Sequence, residues 1–249
     1  MERFASFDGV QIAYTVVGSG PDVLLIHGFA SDQHGNWVAP GVRDSIAATG
    51  RRVKRDDARG HGRTDNPHDV AAYENNAMVR DAQALLDLLD VTAVDVVGYS
   101  MGSIVSTRLV PAEVRSRSLV LGGVGARRPR SREARDRIAA ALESPGGAVA
   151  GEGAAERAFR EFATRGGNDM AALAAVQRAT NPRGDLGAIH VPTLVVAGEE
   201  DNLAGTPGEL AAMISGATAQ VIPGNHLSAV VKPEFANAIT GFLGRVSPV

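Results

Sequence analysis

Short apolar runs bounded by turn residues alternate along this chain with longer stretches in which apolar positions recur every three to four residues. Residues 10–17, after the Asp8-Gly9 turn, and residues 22–26, after the breaker ending in Gly20-Pro21, read as strands. Residues 93–97, 118–121 and 193–197 are Val- and Leu-rich runs too short for helices, and 219–222 is a shorter run of the same kind. Residues 77–89 and 233–243 carry helical apolar spacing. Strands separated by helices predict βαβ units. The expected class is therefore α/β, with a mainly parallel central sheet flanked by helices and any binding site at the carboxyl ends of the strands.

That rhythm breaks between residues 127 and 180. Three alanine-rich helical segments stand there instead, near 131–142, 154–164 and 170–179, with glycine-rich joints at 146–153 and 166–167. We read residues 127–187 as a helical cap insertion over the strand ends, with residues 1–126 and 188–249 forming the α/β core. The insertion carries too few large apolar residues to fold alone.

Candidate chemistry begins where the run at 94–97 meets Gly98-Tyr99-Ser100-Met101-Gly102, followed by a helical start at 103–109. A sharp strand-to-helix turn lifts the serine above the sheet, and side chains two residues either side of it would collide, so glycine fits there. The helix that follows offers free N–H groups and a field suited to an oxyanion. An ordinary glycine-rich βα turn would share this pattern. Partner residues elsewhere argue for the chemical reading.

A serine hydroxyl is a weak nucleophile until a base takes its proton, and the base needs an acid to set its tautomer. Gly198-Glu199-Glu200-Asp201 follows the run at 193–197, which puts Asp201 at a strand's carboxyl end; Glu199 and Glu200 compete for the same role. His226, in Gly224-Asn225-His226, follows the run at 219–222, whereas His190 precedes a strand and lies at the wrong end. Ser100, Asp201 and His226 are the candidate nucleophile, acid and base.

With these residues assembled, the chain resembles the α/β-hydrolase superfamily, in its single-domain serine esterase and cofactor-free haloperoxidase-like branches. The resemblance rests on residues 24–29 (L-L-I-H-G-F), 57–65 (D-A-R-G-H-G-R-T-D), 98–102, 191–201 (V-P-T-L-V-V-A-G-E-E-D) and 224–226, in that order. It implies the α/β-hydrolase fold and the chain order Ser, Asp, His. It further implies an oxyanion hole formed by the backbone N–H groups of Phe29 and Met101, whose side chains would border an acyl pocket or simply pack. Asp57, Arg59 and His61 would brace the floor of the site, and His27 would hold the oxyanion loop. One departure stands out. Residues 52–56 (R-V-K-R-D) occupy a strand that is largely apolar in the family. Either that strand is short with exposed ends, or Arg55 pairs with a nearby acid.

Composition narrows the function further. The chain has 249 residues and a net charge of −3, which gives no electrostatic reason to expect nucleic acid. It has no cysteine, so a disulfide framework, a thiol nucleophile and a thiolate metal site are excluded. The start of the chain shows no signal-peptide core and no run is long enough to span a membrane, so the expected location is cytoplasmic with no membrane partner. No metal and no organic cofactor is expected. The arginines near residues 127–137 could attract an anion or simply solvate a helix start. The expected function is hydrolysis of small carboxylic esters. Acyl transfer or perhydrolysis, C–C bond hydrolysis, and ligand sensing by a non-catalytic relative stay open, and so does the oligomeric state.

Overall fold

The apolar runs at 22–26, 94–97, 118–121 and 193–197 end up buried, as a sheet covered by helices requires, whereas the run at 219–222 is buried only at Ile222. The structure, a computed structural model, describes residues 1–126, 130–144 and 153–249. Eight strands form its sheet: β1 (Glu2–Ala5), β2 (Gln11–Val17), β3 (Asp22–Ile26), β4 (Arg52–Asp56), β5 (Val94–Tyr99), β6 (Ser116–Gly122), β7 (Thr193–Gly198) and β8 (Thr218–Ile222). The spatial order is β1-β2-β4-β3-β5-β6-β7-β8. The β1–β2 and β2–β4 pairs are antiparallel and the rest are parallel. Helices α1 (Val42–Ala47), α2 (Ala77–Leu88), α3 (Met101–Ala112), α4 (Arg132–Glu143), α5 (Ala154–Arg165), α6 (Met170–Arg178), α7 (Pro207–Ala211) and α8 (Pro233–Val246) connect or follow the strands.

The period-two alternation of a strand divides its residues between two cores. Leu24 and Ile26 of β3, Val94 and Val96 of β5, and Leu119 and Leu121 of β6 join α2, α3 and α7 on one face. Val23 and Leu25, Val97 and Tyr99, and Val120 face the other way, onto α1 and α8. A third cluster lies off the sheet. Ile138, Leu142 and Leu173 of α4 and α6, with Phe159 and Phe162 of α5, pack on Phe29 and Ala30 of the loop after β3. Residues 127–129 and 145–152, which include Arg127, Arg128 and most of the glycine-rich joint at 146–153, lie outside the described residues.

The charged strand β4 is resolved differently from either expectation. It is full length and paired on both sides, with β2 and β3. Its acid partner is Asp22 at the start of β3, which takes Arg52 at 2.6 Å and the fully buried Lys54. Burial alone would raise the Asp22 carboxyl, but the Arg52 and Lys54 donors hold it below its ordinary value. Arg55 does not reach an acid; its Nε donates to the side-chain oxygen of Gln33 at 3.0 Å.

Asp56, the last residue of β4, is buried beside Asp81 and Asp57. Desolvation, then the two neighbouring carboxylates, pushes it up to about 7. Between the unfolded value near 4 and about 7, the folded chain therefore holds a proton that the unfolded chain lacks. The benefit of the neutral form is complete below that window and is lost as pH rises through it. An Asp56→Asn variant is expected to gain thermal stability over wild type, with a gap that widens from pH 5 to pH 8 toward a few kcal/mol. Parallel melting curves at both pH values would contradict this.

Candidate active site

The turn after β5 is built by two close approaches. A Cβ on Gly98 would sit 2.6 Å from the Gly102 carbonyl, and one on Gly102 would sit 2.0 Å from the backbone oxygen of Ile26. Only glycine lets β5, β3 and the start of α3 approach this closely. Between them Ser100 adopts φ 52°, ψ −109°, a region that ordinary side chains avoid. Such strain costs on the order of 1–3 kcal/mol and persists where the surroundings over-determine it. Here the Ser100 N–H is fixed on Gly122 O of β6 at 2.8 Å, and Ile104 N–H returns to Ser100 O at 3.1 Å.

The structure brings Ser100, His226 and Asp201 together from three distant segments. His226 Nε2 lies 2.9 Å from Ser100 Oγ, and its Nδ1 lies 3.0 and 2.8 Å from the two Asp201 oxygens. Asp201 is buried, whereas Glu199 and Glu200 are exposed; His190, too, is exposed. The carboxylate at Nδ1 selects the tautomer with hydrogen on Nδ1, leaving Nε2 as an acceptor facing the hydroxyl. Asp201 Oδ1 also accepts the N–H groups of Leu203 at 3.0 Å and Ala204 at 2.9 Å, so the acid is held from behind.

The loops carrying Asp201 and His226 are tied to each other. Glu199 N–H donates to Ile222 O and Glu200 N–H to Gly224 O, at 2.8 and 3.0 Å. Gly224 has φ 108°, and a Cβ on Gly198 would lie 2.0 Å from Gly224 O. Asn225 then turns the chain by accepting Leu227 and Ser228 N–H at 3.0 Å, which presents His226 between them.

Tyr99 is a supporting residue that the sequence did not disclose. Its hydroxyl donates to His226 O at 2.6 Å, and its ring lies 5.6 Å from the imidazole and edge-on to Phe235. Burial, then the Asp201 charge, raises the phenol, so it stays a neutral donor. The signal available was the absence of Cβ atoms at Gly122 and Gly123, each of which would sit 2.8 Å from the Tyr99 ring.

Phe29 and Met101 lie on the two segments that border the serine. The loop after β3 comes close enough that a Cβ on Gly28 would lie 3.4 Å from Ser100 Cβ. Gly28 N–H is taken by Asn36 Oδ1 at 2.9 Å, another partner hidden from the sequence. Met101 is the first residue of α3, where a helix N–H has no intrahelical partner. The Phe29 ring lies 5.9 Å from Phe159 of α5, and Asn168 Nδ2 donates to Ala30 O at 3.0 Å. Helix α5 and the loop after it therefore rest on the loop that borders Ser100.

The acid- and histidine-rich turn after β4 makes structural contacts. Asp57 accepts Gln33 N–H at 2.8 Å and Arg63 N–H at 3.0 Å. Arg59 is fully buried, with Asp81 at 2.7 Å and Asp8 at 2.8 Å. His27 Nε2 accepts Ala58 N–H at 2.9 Å, so Nδ1 carries the hydrogen donated to Gly28 O at 2.8 Å. Burial keeps His27 neutral, and burial together with the neighbouring His27 lowers His61 to about 3. Among the described residues no group of three or more His, Asp or Glu side chains is arranged to hold a metal ion. None of the described helices is long and apolar enough to cross a membrane.

An eight-stranded, mostly parallel sheet with a strained serine at the end of a central strand defines the class. The chain belongs to the alpha/beta hydrolase family, whose sequence profile matches residues 23–238. It is 28% identical over 276 residues to the 2-hydroxy-6-oxo-6-(2'-aminophenyl)hexa-2,4-dienoic acid hydrolase of Metapseudomonas resinovorans, covering 98% of this chain and 91% of that protein. It also matches uncharacterized proteins of Mycobacterium tuberculosis, 39% identical over 103 residues and 40% of this chain; that segment spans 28% of their length. Among solved structures it is similar to a thermophilic esterase from Thermogutta terrifontis, with TM-score 0.80, 27% identity and 98% of each chain covered.

Proposed function

We propose that this protein is a serine hydrolase that cleaves small carboxylic esters through an acyl-enzyme on Ser100. The observation that carries the reading is the continuous hydrogen-bonded path from Ser100 Oγ through His226 to Asp201. In the first step His226 Nε2 takes the hydroxyl proton while Ser100 Oγ bonds to the ester carbonyl carbon. The resulting alkoxide is placed between the N–H groups of Phe29 and Met101, each such donor supplying roughly 3 kcal/mol of barrier lowering. The ester C–O bond then breaks, and the alcohol leaves with the proton held by His226. Water deprotonated by the same imidazole attacks the acyl carbonyl, frees the acid and restores the serine. Residues 127–187, read as a cap, would set acyl and alcohol size through Phe159 against Phe29.

A second reading is hydrolysis of a C–C bond in a vinylogous diketone. It is favoured by the Metapseudomonas relative, which this chain matches over nearly its whole length. Assays with p-nitrophenyl acetate and butyrate beside a ring-fission dienoate separate the two. Turnover of the aryl esters, with a dienoate kcat/KM at least about tenfold lower, is expected, a difference of about 1.4 kcal/mol in barrier. Dienoate cleavage without ester turnover would replace the first reading by the second.

A further inference from the structure

The last strand of the sheet is an uncovered edge. In β8 the residues Thr218, Ala219, Gln220 and Val221 are all exposed, and Val221 keeps 58% of its surface in solvent. Edge strands that stay unpaired usually carry charges, proline or a bulge. Strand β8 has none of these between residues 218 and 222, whereas β1 at the opposite edge carries Glu2 and Arg3.

The direction of its backbone groups can be read from its neighbour. Ile222 O accepts Glu199 N–H at 2.8 Å, on the β7 side. By the period of two, Thr218, Gln220 and Ile222 turn their N–H and C=O groups toward β7, while Ala219 and Val221 turn theirs outward. A two-fold axis through Gln220 would set Ala219 opposite Val221 of a second copy as a pair exchanging two hydrogen bonds, and the same again on the other side.

Helix α8 runs beside this edge. Its outer side and Gln220 border one groove, along which lie Glu234, Asn237, Gly241 and Arg245. Glu234, Asn237, Gly241 and Arg245 are exposed, and neither Glu234 nor Arg245 has an ion-pair partner among the described residues. The acid stands at one end of the stripe and the cation at the other. An antiparallel copy of α8 would bring each Glu234 against the other copy's Arg245, with the side-chain-free Gly241 near the crossing.

We infer that β8 and α8 form a self-complementary surface whose partner is a second copy of this chain, joined by antiparallel β8–β8 pairing about Gln220 and two reciprocal Glu234–Arg245 ion pairs. One interface of this kind closes on itself as an isologous dimer and extends the sheet to sixteen strands, twice the eight of one copy.

Sedimentation velocity of the full chain across the micromolar range tests it. The wild type is expected to sediment as a dimer. Glu234→Arg and Arg245→Glu are each expected to weaken association about tenfold or more, because like charges then oppose one another. The double exchange, Glu234→Arg with Arg245→Glu, is expected to recover it. Val221→Pro removes an outward N–H without a β7 ladder bond and is expected to give a monomer. Circular dichroism and melting curves check that each variant is folded. A wild type that stays monomeric throughout would overturn the proposal. So would dimers indifferent to the single charge reversals, or a double exchange that recovers nothing.

Discussion

Replacing Ser100 with alanine is expected to lower kcat on aryl esters by roughly four to six orders of magnitude, with no loss of the folded state. The turn does not depend on the hydroxyl. It is fixed by the close approach of Gly102 to Ile26, by the bond from Ser100 N–H to Gly122 O, and by the helix that starts at Met101. What alanine removes is the partner of His226 Nε2, the atom that would form the covalent bond in the proposed mechanism. The N–H groups of Phe29 and Met101 would remain, so a residual rate of about 10³ over water is expected from them and from substrate binding. Steady-state kinetics with p-nitrophenyl butyrate measures the loss. A variant within tenfold of wild type would remove Ser100 from the mechanism.

Asp201→Asn is expected to cost roughly 10⁴ in kcat, the next largest effect. The geometry decides which way the new amide faces. Oδ1 accepts both Leu203 and Ala204 N–H groups, so the amide oxygen stays there and the NH₂ group replaces Oδ2 beside His226. An NH₂ donor at Nδ1 forces hydrogen onto Nε2, which then points a donor at the Ser100 hydroxyl and cannot take its proton. Because both backbone bonds survive, stability should change by no more than about 1 kcal/mol, as read from melting curves. A small kinetic loss would return the role of the acid to Glu199 or Glu200, both of which are exposed. A large stability loss would show that Asp201 chiefly holds its own loop.

Most of the sheet was legible because buried parallel strands leave a simple trace. The runs at β3, β5, β6 and β7 are mainly apolar with their central residues buried, and their bounds shift by at most two residues from those expected. Strand β1 was missed because Glu2 and Arg3 at a solvated edge carry no such pattern. Helices α1 and α7, six and five residues long, offer too few turns for a helical period. The charges of β4 could be noticed but not solved, since their partner Asp22 lies thirty or more residues away on the adjacent strand.

The candidate site divides in the same way. Ser100, Asp201 and His226 each follow a strand, and that rule with the G-x-S-x-G turn makes them candidates, while Glu199 and Glu200 share the position of Asp201 and only burial separates them. Asn36 on Gly28 N–H, Tyr99 on His226 O and Phe159 against Phe29 act across the fold, so the residues around each do not name its partner. Phe159 lies in a segment read as alanine-rich helix, where its three-residue spacing from Phe162 was the one hint of an apolar face.

The covalent step is the center of the account. Rapid mixing with p-nitrophenyl acetate, quenching in acid within the first turnover and peptide mass mapping would observe it directly. The predicted result is one acetyl group on the peptide carrying Ser100, formed with a burst of p-nitrophenolate and lost as turnover proceeds. Full turnover of the ester with an unmodified Ser100 peptide at every quench time, or an acetyl group accumulating elsewhere at the turnover rate, would contradict it.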